Sequence, residues 1–133
     1  MNIVLDSSVI AKWFFKEEQR EEAINLRKLH KNGEIEINAP KLLLFELGNI
    51  FLNKKVFAGN FFNESIDTLF SININFAEDK EILGPTFNHA SRYNLSFYDA
   101  TYVALAQSLN CDFITADKKL VKSTKTLKFV KLL

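Results

Sequence analysis

"NIVLDSSVIAKWF", residues 2–14, carries the strongest fold signal in the chain. Ile3, Val4 and Leu5 form a short unbroken run of β-formers, the pattern of a strand buried on both faces. Asp6 ends the run, and Val9, Ile10, Trp13 and Phe14 follow at helical spacing. A carboxylate therefore stands where a buried strand hands over to a helix. It can cap that helix, or it can hold a cation at the end of the strand.

The pattern repeats along the chain. Asn2–Leu5 is read as a strand and Ser7–Phe15 as a short helix. Residues 17–32 form a charged helix with Ala23, Leu26 and Leu29 along one side, stopped by Gly33. Residues 35–39 read as a second strand. Pro40 suits the first turn of the next helix, which runs to about Lys55 and is apolar on two sides. A helix is expected from Asn60 to about Leu69. Ile72, Ile74 and Phe76 alternate with Asn73 and Asn75, a half-buried strand signal. Residues 79–93 read as a helix that Gly84-Pro85 must break or kink. Residues 96–109 are a helix, 111–115 a strand, 118–121 a helical turn and 127–132 a last strand. Strands alternating with helices predict an α/β fold with a mainly parallel sheet. In such sheets, sites form at the carboxyl ends of strands near the switch in strand order.

The bulk properties set limits. The chain has 133 residues, enough for one domain over 1–133 but not for two. Apolar residues make up 47%, which argues for a folded chain over a disordered one. Apolar runs such as Leu42–Phe45 are far too short to span a bilayer. The first residues are not expected to act as a signal peptide, because Asp6 interrupts the apolar run at once. Cys111 is the only cysteine, so no disulfide forms within the chain, which suits a reducing cytoplasm. His30 and His89 are isolated, which argues against a Cys/His zinc site. Residues 118–133 hold six lysines and no acid, whereas residues 1–117 hold 11 basic and 16 acidic residues. A basic end on an acidic body can receive a polyanion or can simply be a solvated face. Lys118, Lys119 and Lys122 are the candidate contacts to such a polyanion.

Four carboxylates are candidates for chemistry. Asp6 and Asp117 follow strands closely, and each can also be a helix cap. Asp99 has capping-box spacing from Ser96. Glu46 borders an inward apolar stripe, three residues after Leu43 and four before Ile50. A lone carboxylate there would carry a large desolvation cost unless paired or bound to metal. In a doubly wound sheet all four can face one crevice. Oxygen-only ligands favour a hard divalent ion, Mg²⁺ or Mn²⁺. Such an ion can activate water for phosphodiester hydrolysis. Ser7 and Thr115 are candidate supports for the carboxylates, and are equally ordinary turn residues.

"VLDSSVIAKWF" (4–14), "APKLLLFELGNIF" (39–51) and "LSFYDATYVALAQSLNCDFITADKKL" (95–120) resemble PIN-domain ribonucleases of the VapC toxin type. The resemblance implies a three-layer α/β/α sandwich around a five-stranded parallel sheet. It further implies Mg²⁺- or Mn²⁺-dependent RNA cleavage and the role of toxin in a type II toxin–antitoxin pair. The family's acidic positions carry over onto Asp6, Glu46, Asp99 and Asp117, with its threonine at Thr115. Residues 56–90 match only in general pattern. A homodimer or a bound antitoxin segment is expected on the apolar residues Leu42, Phe45, Leu52, Phe57, Phe61 and Phe62, the last three lying around Gly59. The alternative is that these side chains fill the core.

Two readings from other classes remain. A phosphoacceptor signalling domain needs paired acids after its first strand, where this chain has Ser7-Ser8. A non-catalytic RNA- or partner-binding α/β module needs no metal and would be told apart by a cleavage assay.

Overall fold

The computed structural model describes residues 1–55 and 60–133. The strand read at the amino terminus is β1 (Asn2–Leu5), and it occupies the middle of the sheet. The other strands are β2 (Glu36–Pro40), β3 (Asn75–Ala77), β4 (Asp112–Thr115) and β5 (Val130–Leu132). All four pairings are parallel, in the order β3-β2-β1-β4-β5. The order reverses at β1, which pairs with β2 on one side and β4 on the other. The carboxyl ends of β1 and β4 thus open onto the switch-point crevice.

Period-two alternation divides the core between the two faces. Ile3, Leu5, Ile37 and Ala39 point to one side, and Val4, Phe113 and Val130 to the other. The first side packs α1 (Ser7–Ile10), a 3₁₀ turn (Ala11–Trp13), α2 (Arg20–Lys31), α3 (Leu42–Asn53) and α4 (Phe61–Ile72). The second packs α6 (Phe97–Ser108) and α7 (Lys118–Ser123), with α5 (Leu83–Tyr93) resting against α6. The expected three-layer sandwich results, with an all-parallel five-stranded sheet. Among the described residues no helix is long and apolar enough to cross a membrane.

Four local expectations change. Pro40 does not open α3: it closes β2, where it pairs with Ala77 of β3, and α3 starts at Leu42 with Lys41 as its cap. The strand signal that starts at Ile72 belongs half to α4. Ile72 is that helix's last residue, and Asn73 ends it in the left-handed region at φ 66°. Helix end and strand demand the same burial of Ile72 and Ile74, so alternation alone could not separate them. His30 helps hold that end. Its Nδ1 accepts the Ile37 N–H at 3.1 Å, which leaves Nε2 to donate to the Ile72 carbonyl at 2.9 Å. Gly84-Pro85 does not break α5, because Pro85 falls in the first turn, where a backbone N–H has no helical partner. The predicted helix over 7–15 is an α turn continued by a 3₁₀ turn. Gly33 follows α2 as expected, at φ 79°, where its N–H reaches the His30 carbonyl.

Candidate active site

Asp6 leaves β1 and serves as the N-cap of α1. Its Oδ1 accepts the backbone N–H groups of Ser8 (3.1 Å) and Val9 (3.3 Å) and the Ser8 hydroxyl (2.5 Å). Its Oδ2 accepts the Thr115 hydroxyl at 2.5 Å, from the end of the neighbouring strand β4. A cap needs no burial, yet Asp6 is only 6% exposed. Burial pushes its carboxyl up to about 6, against the pull of the Ser8, Thr115 and Val9 donors and with some help from the charge of Asp99. Every hydrogen-bond partner of Asp6 is neutral.

The loop after β4 is pinned to the same point. The Ala116 N–H donates to Ser8 Oγ at 2.9 Å, and the Asp117 N–H donates to Thr115 Oγ1 at 3.1 Å. Asp117 then caps α7, accepting from the Lys119 and Leu120 N–H groups at 3.0 and 3.2 Å. Asp99 stands in the first turn of α6, its N–H bonded to the capping Ser96 hydroxyl at 3.0 Å. Glu46 is half-buried on α3 and accepts the Tyr102 hydroxyl at 2.5 Å.

Asp6, Glu46 and Asp99 each sense the charge of another acid here. Burial raises the Glu46 carboxyl, and the charges of Asp6 and Asp99 raise it further, against the Tyr102 and Ser7 hydroxyls. Burial also raises Asp99, followed by the charge of Asp117, against the Ser96 hydroxyl. The ion pairs of the described residues engage Glu17, Glu78 and Asp112 instead. The crevice thus gathers negative charge that no lysine or arginine among them neutralises. Among the described residues no three His, Cys, Asp or Glu side chains form a ready-made ion cage. An uncompensated, oxygen-only donor set nevertheless fits a hard divalent cation, since Mg²⁺ keeps several waters and needs few direct protein bonds.

The supporting residues differ in part from expectation. Thr115 bonds Asp6 directly. Ser7 lies beside Glu46, and it is Ser8 that bridges Asp6 to the β4 loop. Ser8 and Tyr102 went unnoticed in the sequence. The Asp6–Ser8 bonds follow a local pattern, since an Asp cap accepts from the residue two positions later, whereas the Ser8 bond to the β4 loop has no local signal. Lys118, Lys119 and Lys122 are exposed on α7, directly after Asp117.

Away from the crevice, α3 and α4 frame an apolar groove of about 580 Å³ that includes Phe45, Leu52, Phe62 and Phe70. Phe45 is 78% exposed and Leu52 59%. Leu42 and Phe61 turn partly inward. Phe57 and Gly59 lie outside the described residues.

Residues 3–125 match the PIN domain family. The chain belongs to the PIN domain family. Over 29 residues it is 66% identical to ribonuclease VapC9 of Mycobacterium tuberculosis, a match covering 22% of this chain and 23% of that relative. The fold is similar to the Mycobacterium tuberculosis VapC20 toxin, described as cleaving the sarcin-ricin loop, with TM-score 0.69, 15% identity and coverage of 96% of each chain. It is similar as well to VapBC2 from Rickettsia felis, solved with a DNA fragment of its promoter, with TM-score 0.67, 19% identity and coverage of 100% and 98%. These PIN domain likenesses establish the architecture in which the acidic crevice sits.

Proposed function

We propose that this PIN domain is a divalent-metal-dependent endoribonuclease and that residues 1–133 act as one functional unit in the cytoplasm. The observation that carries the reading is the crevice at the ends of β1 and β4. There Asp6, Glu46, Asp99 and Asp117 accumulate negative charge with no cationic side chain to balance it. A structural role alone would favour neutralising partners, because like charges destabilise one another.

Asp6, Glu46, Asp99 and Asp117 would hold the ion, Mg²⁺ or Mn²⁺. When bound, the ion supplies positive charge against the developing phosphate charge and acidifies water for attack. The chain's own residues prepare the place. Ser8, Val9 and Thr115 fix both oxygens of Asp6. Thr115 also orients the Asp117 backbone. Exposed lysines on α7 follow Asp117, where they can take RNA phosphates. The test is incubation of purified protein with a panel of structured RNAs in Mg²⁺, Mn²⁺ or EDTA, with mapping of the ends. Cleavage that survives EDTA, or no cleavage of any RNA, counts against the proposal. Binding without cleavage would favour the non-catalytic module.

The lysines make a separate prediction. Replacing Lys118, Lys119 and Lys122 with Gln weakens RNA binding and lowers the slope of log affinity against log salt by roughly 0.7 per lost phosphate contact. Metal affinity stays level. An unchanged slope returns these lysines to a solvated face.

The likeness to VapC20 and VapBC2 supports the role of toxin paired with an antitoxin protein. We assign the apolar α3–α4 face to a homodimer, since monomers rarely leave such side chains in water. Light scattering at micromolar concentration should give twice the chain mass, and Phe45→Lys should return a monomer. A wild-type monomer would remove this assignment.

A further inference from the structure

Tyr102 stands one helical turn after Asp99 on α6. It is 1% exposed, and its ring stacks on Phe113 of β4 at 5.6 Å and an interplanar angle of 13°. The ring alone would fill this part of the core. The hydroxyl has a different task, because a buried phenol needs a partner. Its partner is Glu46 Oε1, 56 positions earlier in the chain. Among the described residues this is the one side-chain hydrogen bond between α3 and α6. Otherwise α3 rests on apolar contacts through Leu43, Leu47 and Phe51. A carboxylate on such a helix, repelled by Asp6 and Asp99, would relax outward to water unless something held it in.

We propose that Tyr102 is a positioning residue for the acid cluster: its hydroxyl holds the Glu46 carboxylate in the crevice, where it can help bind a divalent cation. The inference rests on the metal-site reading above. Its physical basis is that groups bonded to a ligand's other lone pairs set that ligand's orientation. Helix α6 then serves the crevice twice, with Asp99 directly and with Tyr102 through Glu46.

The experiment measures Mn²⁺ affinity of the full chain by electron paramagnetic resonance, alongside RNA cleavage. Tyr102→Phe keeps the stacked ring and removes only the hydroxyl. It should bind Mn²⁺ about 10-fold more weakly and lower kcat similarly, with KM for RNA within about threefold of wild type. Glu46→Gln should weaken Mn²⁺ binding at least as much. The double variant should then be no more than about twofold worse than Glu46→Gln alone, since the hydroxyl acts only through that carboxylate. Wild-type Mn²⁺ affinity in folded Tyr102→Phe, or fully additive losses, overturns the proposal even if RNA is cut. Coupled Mn²⁺ losses in a protein that cuts no RNA uphold the proposal and sink the nuclease reading. A wild-type protein that binds no Mn²⁺ overturns both.

If Tyr102→Phe fails to fold, fluorotyrosine-labelled wild-type protein supplies a second readout. Tyr93→Phe and Tyr98→Phe assign the three tyrosine signals. The Tyr102 fluorine resonance should move when Mg²⁺ saturates the site, and a stationary one overturns the proposal.

Discussion

Asp6→Asn protein should fold and lose RNA cleavage by about a thousandfold or more. Asn caps a helix about as well as Asp, and its side-chain oxygen can keep the bonds from Ser8 and Val9. Packing is preserved because the two side chains have nearly the same shape. The lost feature is a charge at the crevice. If capping were its whole task, the variant would cleave RNA normally. Stability in EDTA should move the other way. The folded-state carboxyl is raised from 3.8 to about 6, so the folded protein binds this proton more tightly than the unfolded chain. Stability from this group is complete below about pH 4 and is lost as pH rises through about 6. At pH 7 the buried charge costs about 3 kcal/mol, and Asp6→Asn should recover much of it. Denaturant titrations in EDTA at pH 4.5 and 7 check the sign. Full cleavage activity in Asp6→Asn would overturn the metal-site assignment.

Saturating Mg²⁺ or Mn²⁺ should raise the melting temperature by roughly 10 °C if the crevice holds the ion as proposed. A ligand at 100 times its Kd that binds only the folded state adds about 2.7 kcal/mol, worth a few degrees per kcal/mol in a chain of this size. The gain should be larger at pH 7.5 than at 5.5, because protons compete for Asp6 in the lower range. The raised carboxyls of Glu46 and Asp99 add to the same trend. Asp6→Asn/Asp99→Asn should abolish the shift. Differential scanning fluorimetry of both proteins across that pH range decides it. Equal shifts in the two would place the ion elsewhere or reveal a general salt effect.

The framework of the fold is written in local signals. The apolar run ending at Asp6, the strand–helix alternation and the punctuation at Gly33 and Ser96 are local signals. Period and cap chemistry act within a few residues, so they can be read without coordinates. The acids at strand ends were legible for the same reason, since parallel strands joined by right-handed helices bring those ends to one edge.

Features that depend on distant partners emerge with the folded chain. Nothing local distinguishes Ile72 at a helix end from Ile72 in a strand; the His30 bond and the turn at Asn73 settle it. Nothing local gives the bridging role to Ser8 rather than Ser7, because it requires the β4 loop brought against Asp6. The Tyr102–Glu46 bond joins helices whose sequence positions carry no common pattern. A buried carboxylate's pKa and its hydrogen-bond partners are properties of the assembled crevice, where desolvation and neighbouring charge act across the sheet.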